Sequence, residues 1–239
     1  MSTTQLTLDT PDGPMPAYQA APDKEARGGV VVIQEAFGVT SHIEDICRRL
    51  AASGWSAVAP ALFHRQGSPV LRYDDFDSVR PIMAALEAPG IRTDVDAAFA
   101  HLASSGFGAE RSAIVGFCMG GGVTFHTAVD RRVGAAADFY GGGVAEGRFG
   151  YPPQLERASS LQTPLLGLYG DLDQSIPVDQ VESLRRALGD AKVPTEIVRY
   201  ADAGHGFNCD DRPEAFNPAA ASSAWERTLA WFDDHVARS

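Results

Sequence analysis

Four short stretches of the 239-residue chain carry residue types that could do chemistry together. The first is Gly116-Phe117-Cys118-Met119-Gly120, a glycine-x-nucleophile-x-glycine pattern. It lies where an apolar run gives way to a glycine cluster, so a strand should hand over to a helix there. That placement is what makes the pattern a nucleophile elbow. A side chain thrown out on so sharp a turn needs small neighbours two positions before and two after. Gly116 and Gly120 supply them, and Gly121 lets the helix pack close to the strand. The free N–H groups and positive dipole end of that helix favour a thiolate at Cys118. An unperturbed thiol, titrating near about 8.5, is only a few per cent ionised at neutral pH, so a base is still required. Taken alone, the pentapeptide also fits a small buried cysteine beside packing glycines.

Two stretches downstream supply the partners in the chain order such an elbow expects, acid and then histidine. Leu168–Pro177 reads LYGDLDQSIP and holds two aspartates just past a strand. Asp173, followed by three residues and Pro177, is the better match for the acid, while Asp171 directly after Gly170 fits a turn brace. Ala201–Phe207 reads ADAGHGF and sets His205 in a glycine-flanked loop after the last strand. The nucleophile, acid and histidine would then all lie at carboxyl ends of parallel strands, where such sheets bind ligands. A metal shared by His205 and Cys209, with Asp210 and Asp211 near, is the alternative. Zinc requires three or four ligands in a compact set, and no second cluster exists, so no metal or other cofactor is expected. His42, His64, His101, His126 and His235 sit in helical or loop contexts with no evident partner and read as structural.

The fourth stretch, Val30–Val39, reads VVVIQEAFGV. A loop in this position donates one oxyanion-hole N–H, and the residue after the nucleophile donates the other. Those would be the amides of Ala36 and Met119. Glu35 would lie close to the thiol, where a carboxylate disfavours the thiolate by charge yet can accept its proton.

The elements that must hold these groups alternate. Residues 5–22 read as a polar strand pair with a turn at Pro11–Pro14. Short apolar runs at 30–33, 55–60, 112–117, 135–140, 163–170 and 195–200 read as strands, several of them buried on both faces. Between them, helices are expected from Ser41 (with a Ser41/Glu44 capping box, closed at Gly54), over 74–88, from Thr93, over 119–129 and over 178–189, and a closing helix from Trp225. Such alternation predicts an α/β class with a mostly parallel central sheet and helices on both faces. There is no repeat or linker, so residues 1–239 read as one domain, with 141–163 a long loop near the site.

Net charge is −11, with no Lys/Arg-rich run, which argues against nucleic acid or anionic membranes as partners. No apolar stretch approaches the roughly 20 residues a membrane span needs, and the start lacks the pattern of a secretory signal. The three cysteines, Cys47, Cys118 and Cys209, form no CxxC pair, which fits a reducing cytoplasm.

QEAFGV from Gln34, GFCMGG from Gly116, DQSIP from Asp173 and AGHGF from Ala203 together resemble the dienelactone hydrolase (carboxymethylenebutenolidase-like) family. The likeness runs from about residue 10 into the closing helix. It implies an α/β-hydrolase fold and a cysteine-dependent esterase or lactonase without a cofactor. It further implies that Cys118 forms a covalent acyl-enzyme, His205 moves protons, Asp173 orients His205, and Glu35 deprotonates the thiol when substrate binds. A monomer or homodimer acting on a small ester or lactone is expected. A thioester or small-amide acyl hydrolase, or a non-catalytic thiol-sensing protein on the same fold, are the alternatives. The chain departs from the family in one respect. Family members that cleave dienelactone carry arginines gripping the substrate carboxylate, one of them four residues after the histidine. Here that position is Cys209. Arg212 is near but out of register, and Arg72 or Arg80 could make the other contact.

Overall fold

The computed structural model describes residues 1–237. Eight strands form one sheet: β1 (Ser2–Thr10), β2 (Gly13–Ala21), β3 (Gly29–Ile33), β4 (Ser56–Pro60), β5 (Ser112–Phe117), β6 (Ala135–Phe139), β7 (Leu165–Gly170) and β8 (Thr195–Tyr200). Their order is β1-β2-β4-β3-β5-β6-β7-β8. β1 and β2 form an antiparallel hairpin, β2 joins β4 antiparallel, and every other pairing is parallel. The expected α/β-hydrolase architecture is present. β3, β4, β5, β6 and β7 are buried along their whole length. They are mostly apolar, with Ser56, Ser112 and Asp138 the buried polar exceptions, because helices cover both faces and no side of the pleat meets water.

The helices are α1 (Ser41–Ala52), α2 (Phe76–Ala84), α3 (Ala88–Ser104), α4 (Met119–Asp130), the short α5 (Gln154–Arg157), α6 (Val178–Leu188) and α7 (Pro218–His235). Three of these differ from the expectation. The single segment over 74–88 is α2 alone, and α3 begins at Ala88 rather than Thr93. The closing helix begins at Pro218 rather than Trp225. Both early starts carry a proline in the first turn, where its missing N–H costs no hydrogen bond and its fixed φ suits a helix. The Ser41/Glu44 capping box does not form. Thr40 is the cap, without a side-chain bond, and Ser41 Oγ instead donates to Asp211 Oδ2 at 2.5 Å. Among the described residues no helix is long and apolar enough to cross a membrane.

The parallel strands aim their carboxyl ends at one edge, and the loops there are tied together by backbone bonds. Leu172 N–H donates to Ala203 O at 2.9 Å and Asp171 N–H to Tyr200 O at 2.9 Å, joining the loop after β7 to the loop after β8. Cys118 N–H donates to Phe139 O at 3.0 Å, joining the elbow to the end of β6.

Candidate active site

Cys118 sits between β5 and α4 with φ 56° and ψ −116°. A non-glycine residue enters that region only where its surroundings over-determine it. The surroundings are the glycines. A methyl on Gly120 would lie 2.5 Å from both Ile33 O and Gln34 O, and one on Gly116 would reach Thr124 Oγ1 at 2.5 Å besides the Gly120 backbone. The strand therefore meets the helix at backbone contact, and the turn between them must be sharp. The thiol stands partly exposed at the head of α4.

The structure brings Cys118, His205 and Asp173 to one place. His205 Nδ1 bonds Asp173 Oδ2 at 2.6 Å. The other carboxylate oxygen, Oδ1, accepts from Ser175 N–H at 2.8 Å, Ser175 Oγ at 2.6 Å and Ile176 N–H at 3.2 Å. Asp173 is nearly sealed from solvent, yet these donors hold its carboxyl below the usual range: burial pushes it up, and the bonds from His205 and Ser175 outweigh that. Burial likewise disfavours a charged His205, but Cys118 and the bond to Asp173 prevail and push it up to about 10. His205 thus carries a proton at neutral pH once the sulfur it faces is a thiolate. Asp171 is not in this group. Arg199 Nε and Nη2 each reach it at 2.7 Å, fixing the end of β7 to β8, the bracing role expected of it.

Glu35 is 1 % exposed and shares no hydrogen bond with Cys118. Its Oε1 accepts from Tyr140 Oη at 3.5 Å, and its Oε2 is buried with no partner. Ala36 lines the same pocket as Cys118 and His205. Met119 is the first residue of α4. Among the described residues, neither residue's amide donates to another backbone carbonyl. Cys209 is buried against Tyr73, its sulfur 3.6 Å from the phenol oxygen, and burial with Glu35 nearby pushes its thiol up to about 12. Its partner is thus a phenol, and His205 is committed to Asp173.

The pocket over the thiol has a volume of about 670 Å³. Its walls are largely apolar, with Phe37, Phe76, Val79, Met83, Phe149 and Ile176 among them, and three arginines, Arg80, Arg148 and Arg212, also line it. Of the three arginines named from sequence, Arg72 is outside this lining, 81 % exposed and paired with Asp74, whereas Arg80 lines it, 74 % exposed and paired with Asp77. Arg212 is largely buried, its guanidinium 5.7 Å from the Phe37 ring centre and 5.6 Å from that of Tyr73. Sequence reading missed Arg148 and Tyr140. Arg148 lies in the 141–163 stretch, whose position near the site was the only signal. Tyr140 ends β6 just before three glycines at the carboxyl edge, a position that could have pointed to it.

The remaining histidines do have partners, contrary to expectation. His42 meets Asp210 at 3.2 Å, His64 meets Asp94 at 3.0 Å, and His101 meets Gln19 at 3.0 Å. His126 stacks on Tyr151 with ring centres 4.3 Å apart. These partners lie far away in sequence, so local context could not reveal them; His235 instead packs edge-on against a near neighbour, Trp231, with ring centres 4.2 Å apart.

A family model described as the dienelactone hydrolase family matches residues 15–236. A protein of Escherichia coli (strain K12), provisionally named a carboxymethylenebutenolidase, is 41% identical over 230 residues, covering 92% of this chain and 83% of its own length. One from Methylorubrum extorquens with the same provisional name is 35% identical over 235 residues, covering 95% and 79%. Among solved structures, a provisionally named dienelactone hydrolase from Klebsiella pneumoniae superposes with TM-score 0.91 at 37% identity, covering 98% of this chain and 99% of that one.

Proposed function

The chain belongs to the dienelactone hydrolase family of ester-bond hydrolases, and from that premise we propose that it cleaves lactone or ester bonds through a covalent intermediate on Cys118. The observation that carries this reading is the convergence of an imidazole, locked by Asp173 at 2.6 Å, on a thiol held at a strained turn in the same pocket.

In the reaction so derived, Glu35 takes the thiol proton as substrate enters, and the Cys118 thiolate attacks the carbonyl carbon. The amides of Ala36 and Met119 receive the oxyanion that develops. Collapse breaks the carbon–oxygen bond, and the protonated His205 delivers its proton to the leaving oxygen. His205, now neutral, takes a proton from water as the water oxygen attacks the thioester. Collapse then expels the thiolate and frees the acid, the proton stays on His205, and Glu35 returns its own proton to the sulfur as the product leaves. Asp173 keeps Nδ1 engaged so that Nε2 faces the sulfur. Positioned proton transfer of this kind contributes about 10²- to 10⁴-fold.

For the substrate, apolar walls and three arginines favour a largely hydrophobic ester or lactone that also bears an acidic group. Arg212, stacked on Phe37 and Tyr73, offers a cation to the pocket although Cys209 stands where family members have arginine.

The test is a screen of lactones and esters, including a carboxylated dienelactone, with and without iodoacetamide, on the parent, Cys118→Ala and His205→Ala proteins. Both substitutions should remove at least about 10³-fold of kcat while the Tm stays near that of the parent. Parent-rate turnover by Cys118→Ala would falsify the assignment.

A further inference from the structure

We propose that Tyr140 is a positioning residue that holds Glu35 by one carboxylate oxygen and leaves the other free as the base for Cys118. This rests on the covalent mechanism above and adds a residue to it.

The backbone gives the first argument. Tyr140 follows β6 with φ 42°, left-handed space that a bulky side chain enters only under constraint. Its N–H donates to Leu168 O at 2.9 Å, so the strained residue is pinned to β7. That conformation puts a wholly buried phenol under the site. The ring is packed at 5.2 Å from Phe207 and 5.2 Å from the imidazole of His205, and its hydroxyl lies 3.5 Å from Glu35 Oε1. One side chain therefore touches both the proposed base and the proposed proton carrier.

The second argument is what Glu35 lacks. Among the described residues it forms no ion pair, and the Tyr140 hydroxyl is the side-chain donor it has. Cys209 occupies the position of the family's arginine and bonds Tyr73 instead. The titratable or charged groups around the pair are the Cys118 and Cys209 thiols, the Tyr73 hydroxyl, the His205 imidazole and the Arg212 guanidinium. Burial and the neighbouring Glu35 keep the Tyr140 phenol protonated, so it donates and does not compete for protons. A neutral donor on Oε1 supports the carboxylate without cancelling its charge, and Oε2 remains unpartnered. On activation the S–H bond of Cys118 breaks and an O–H bond forms on Oε2, leaving a thiolate and a neutral acid. The 3.5 Å separation makes this a loose clamp, which permits the carboxyl to move as it takes the proton.

The test is Tyr140→Phe, which keeps the ring and removes the donor. Without it the Glu35 carboxylate is less supported and binds its proton more tightly. The acid limb of kcat/KM, and of Cys118 alkylation by iodoacetamide, should then move to higher pH by about half a unit or more. We expect kcat to fall about tenfold with KM little changed, and the Tm to stay near the parent value. In a Glu35→Gln background the same substitution should move neither limb. An unmoved limb in the single variant, or an equal loss of kcat with and without Glu35, overturns the proposal. If Tyr140→Phe does not fold, 3-fluorotyrosine placed at position 140 is a stronger donor and should move the limb to lower pH; no movement counts against the proposal in the same way. A silent Tyr140→Phe in an enzyme that still needs Cys118 sinks this inference alone, whereas activity without Cys118 sinks the mechanism beneath it.

Discussion

The floor of the pocket and its wall are built on different principles. The floor comprises the elbow at Cys118 and the loops carrying Asp173 and His205. It is held by backbone: glycines pressed against carbonyls, and N–H groups tying one loop to the next. The wall comprises α2, Leu86 just after it, and the loop around Arg148 and Phe149. It is held by apolar side chains resting on the core. Two hydrogen bonds through Ala88, the first residue of α3, join its parts: Ala88 N–H donates to Phe149 O at 2.7 Å, and Tyr151 Oη donates to Ala88 O at 3.4 Å. Backbone contacts do not tolerate added atoms, whereas a side-chain wall can change residue by residue while the floor stays intact. On the proposed mechanism the floor carries the chemistry, and the wall selects which molecule reaches it.

The largest effect that would test this contrast is on the floor. In Gly120→Ala the new methyl would sit 2.5 Å from Ile33 O and Gln34 O, both backbone atoms that cannot move without shifting β3. Overpacking a well-filled site costs about 1–3 kcal/mol and more where nothing yields. We expect a loss at or above the upper end of that range in urea unfolding, with activity gone because the elbow must open. A stability within about 0.5 kcal/mol of the parent, an ordinary surface value, would show that the contact is not as tight as described.

The same contrast explains what could be read beforehand. Glycine at 116, 120 and 121, a nucleophile between them, and an acid and a histidine in order are residue types that a sharp turn and its partners demand. They were legible because local geometry dictates them. The wall was read poorly because its decisive features are not local. The expected segment over 74–88 stops just short of Pro89, yet that proline lies in the first turn of α3. Pro218 likewise opens α7, where the Asn217 side chain accepts from Ala220 N–H at 3.1 Å. A proline before a helical pattern reads as a break unless the cap beside it is recognised. Ser41 failed as a cap for a related reason: its hydroxyl is taken by Asp211, 170 positions away, and a short window cannot contain that partner. Arg148 was invisible because nothing about an arginine in a long loop says which way it faces.

A medium effect belongs to that arginine. Arg148 lines the pocket with its guanidinium 5.0 Å from the Phe149 ring centre, whereas Arg80 is mostly exposed and already committed to Asp77. In Arg148→Gln, kcat/KM for a carboxylated ester should fall about tenfold, roughly the contribution of one charge-assisted hydrogen bond. The value for its uncharged methyl ester should hold within about twofold. Arg80→Gln should move the ratio less. Equal losses on both substrates would mean that Arg148 shapes the wall by packing and does not select for charge.

The smallest effect lies just outside the floor. Asp171 is two residues from Asp173 and follows the same strand, yet it accepts both arms of Arg199, which also reaches Glu182 at 2.7 Å. All three groups keep substantial exposure, so solvent screens the pair, and an exposed ion pair is worth about 1 kcal/mol or less. Asp171→Asn should therefore lower stability by about that much, increasingly little as salt rises, and leave kcat unchanged. Asp173→Asn should instead lower kcat on the proposed mechanism, because its carboxylate is buried against His205 and Ser175. Measuring rate and melting for both variants in one buffer separates a carboxylate that braces the sheet edge from one that orients the imidazole, and a kcat loss in Asp171→Asn equal to that of Asp173→Asn would erase the boundary between floor and frame.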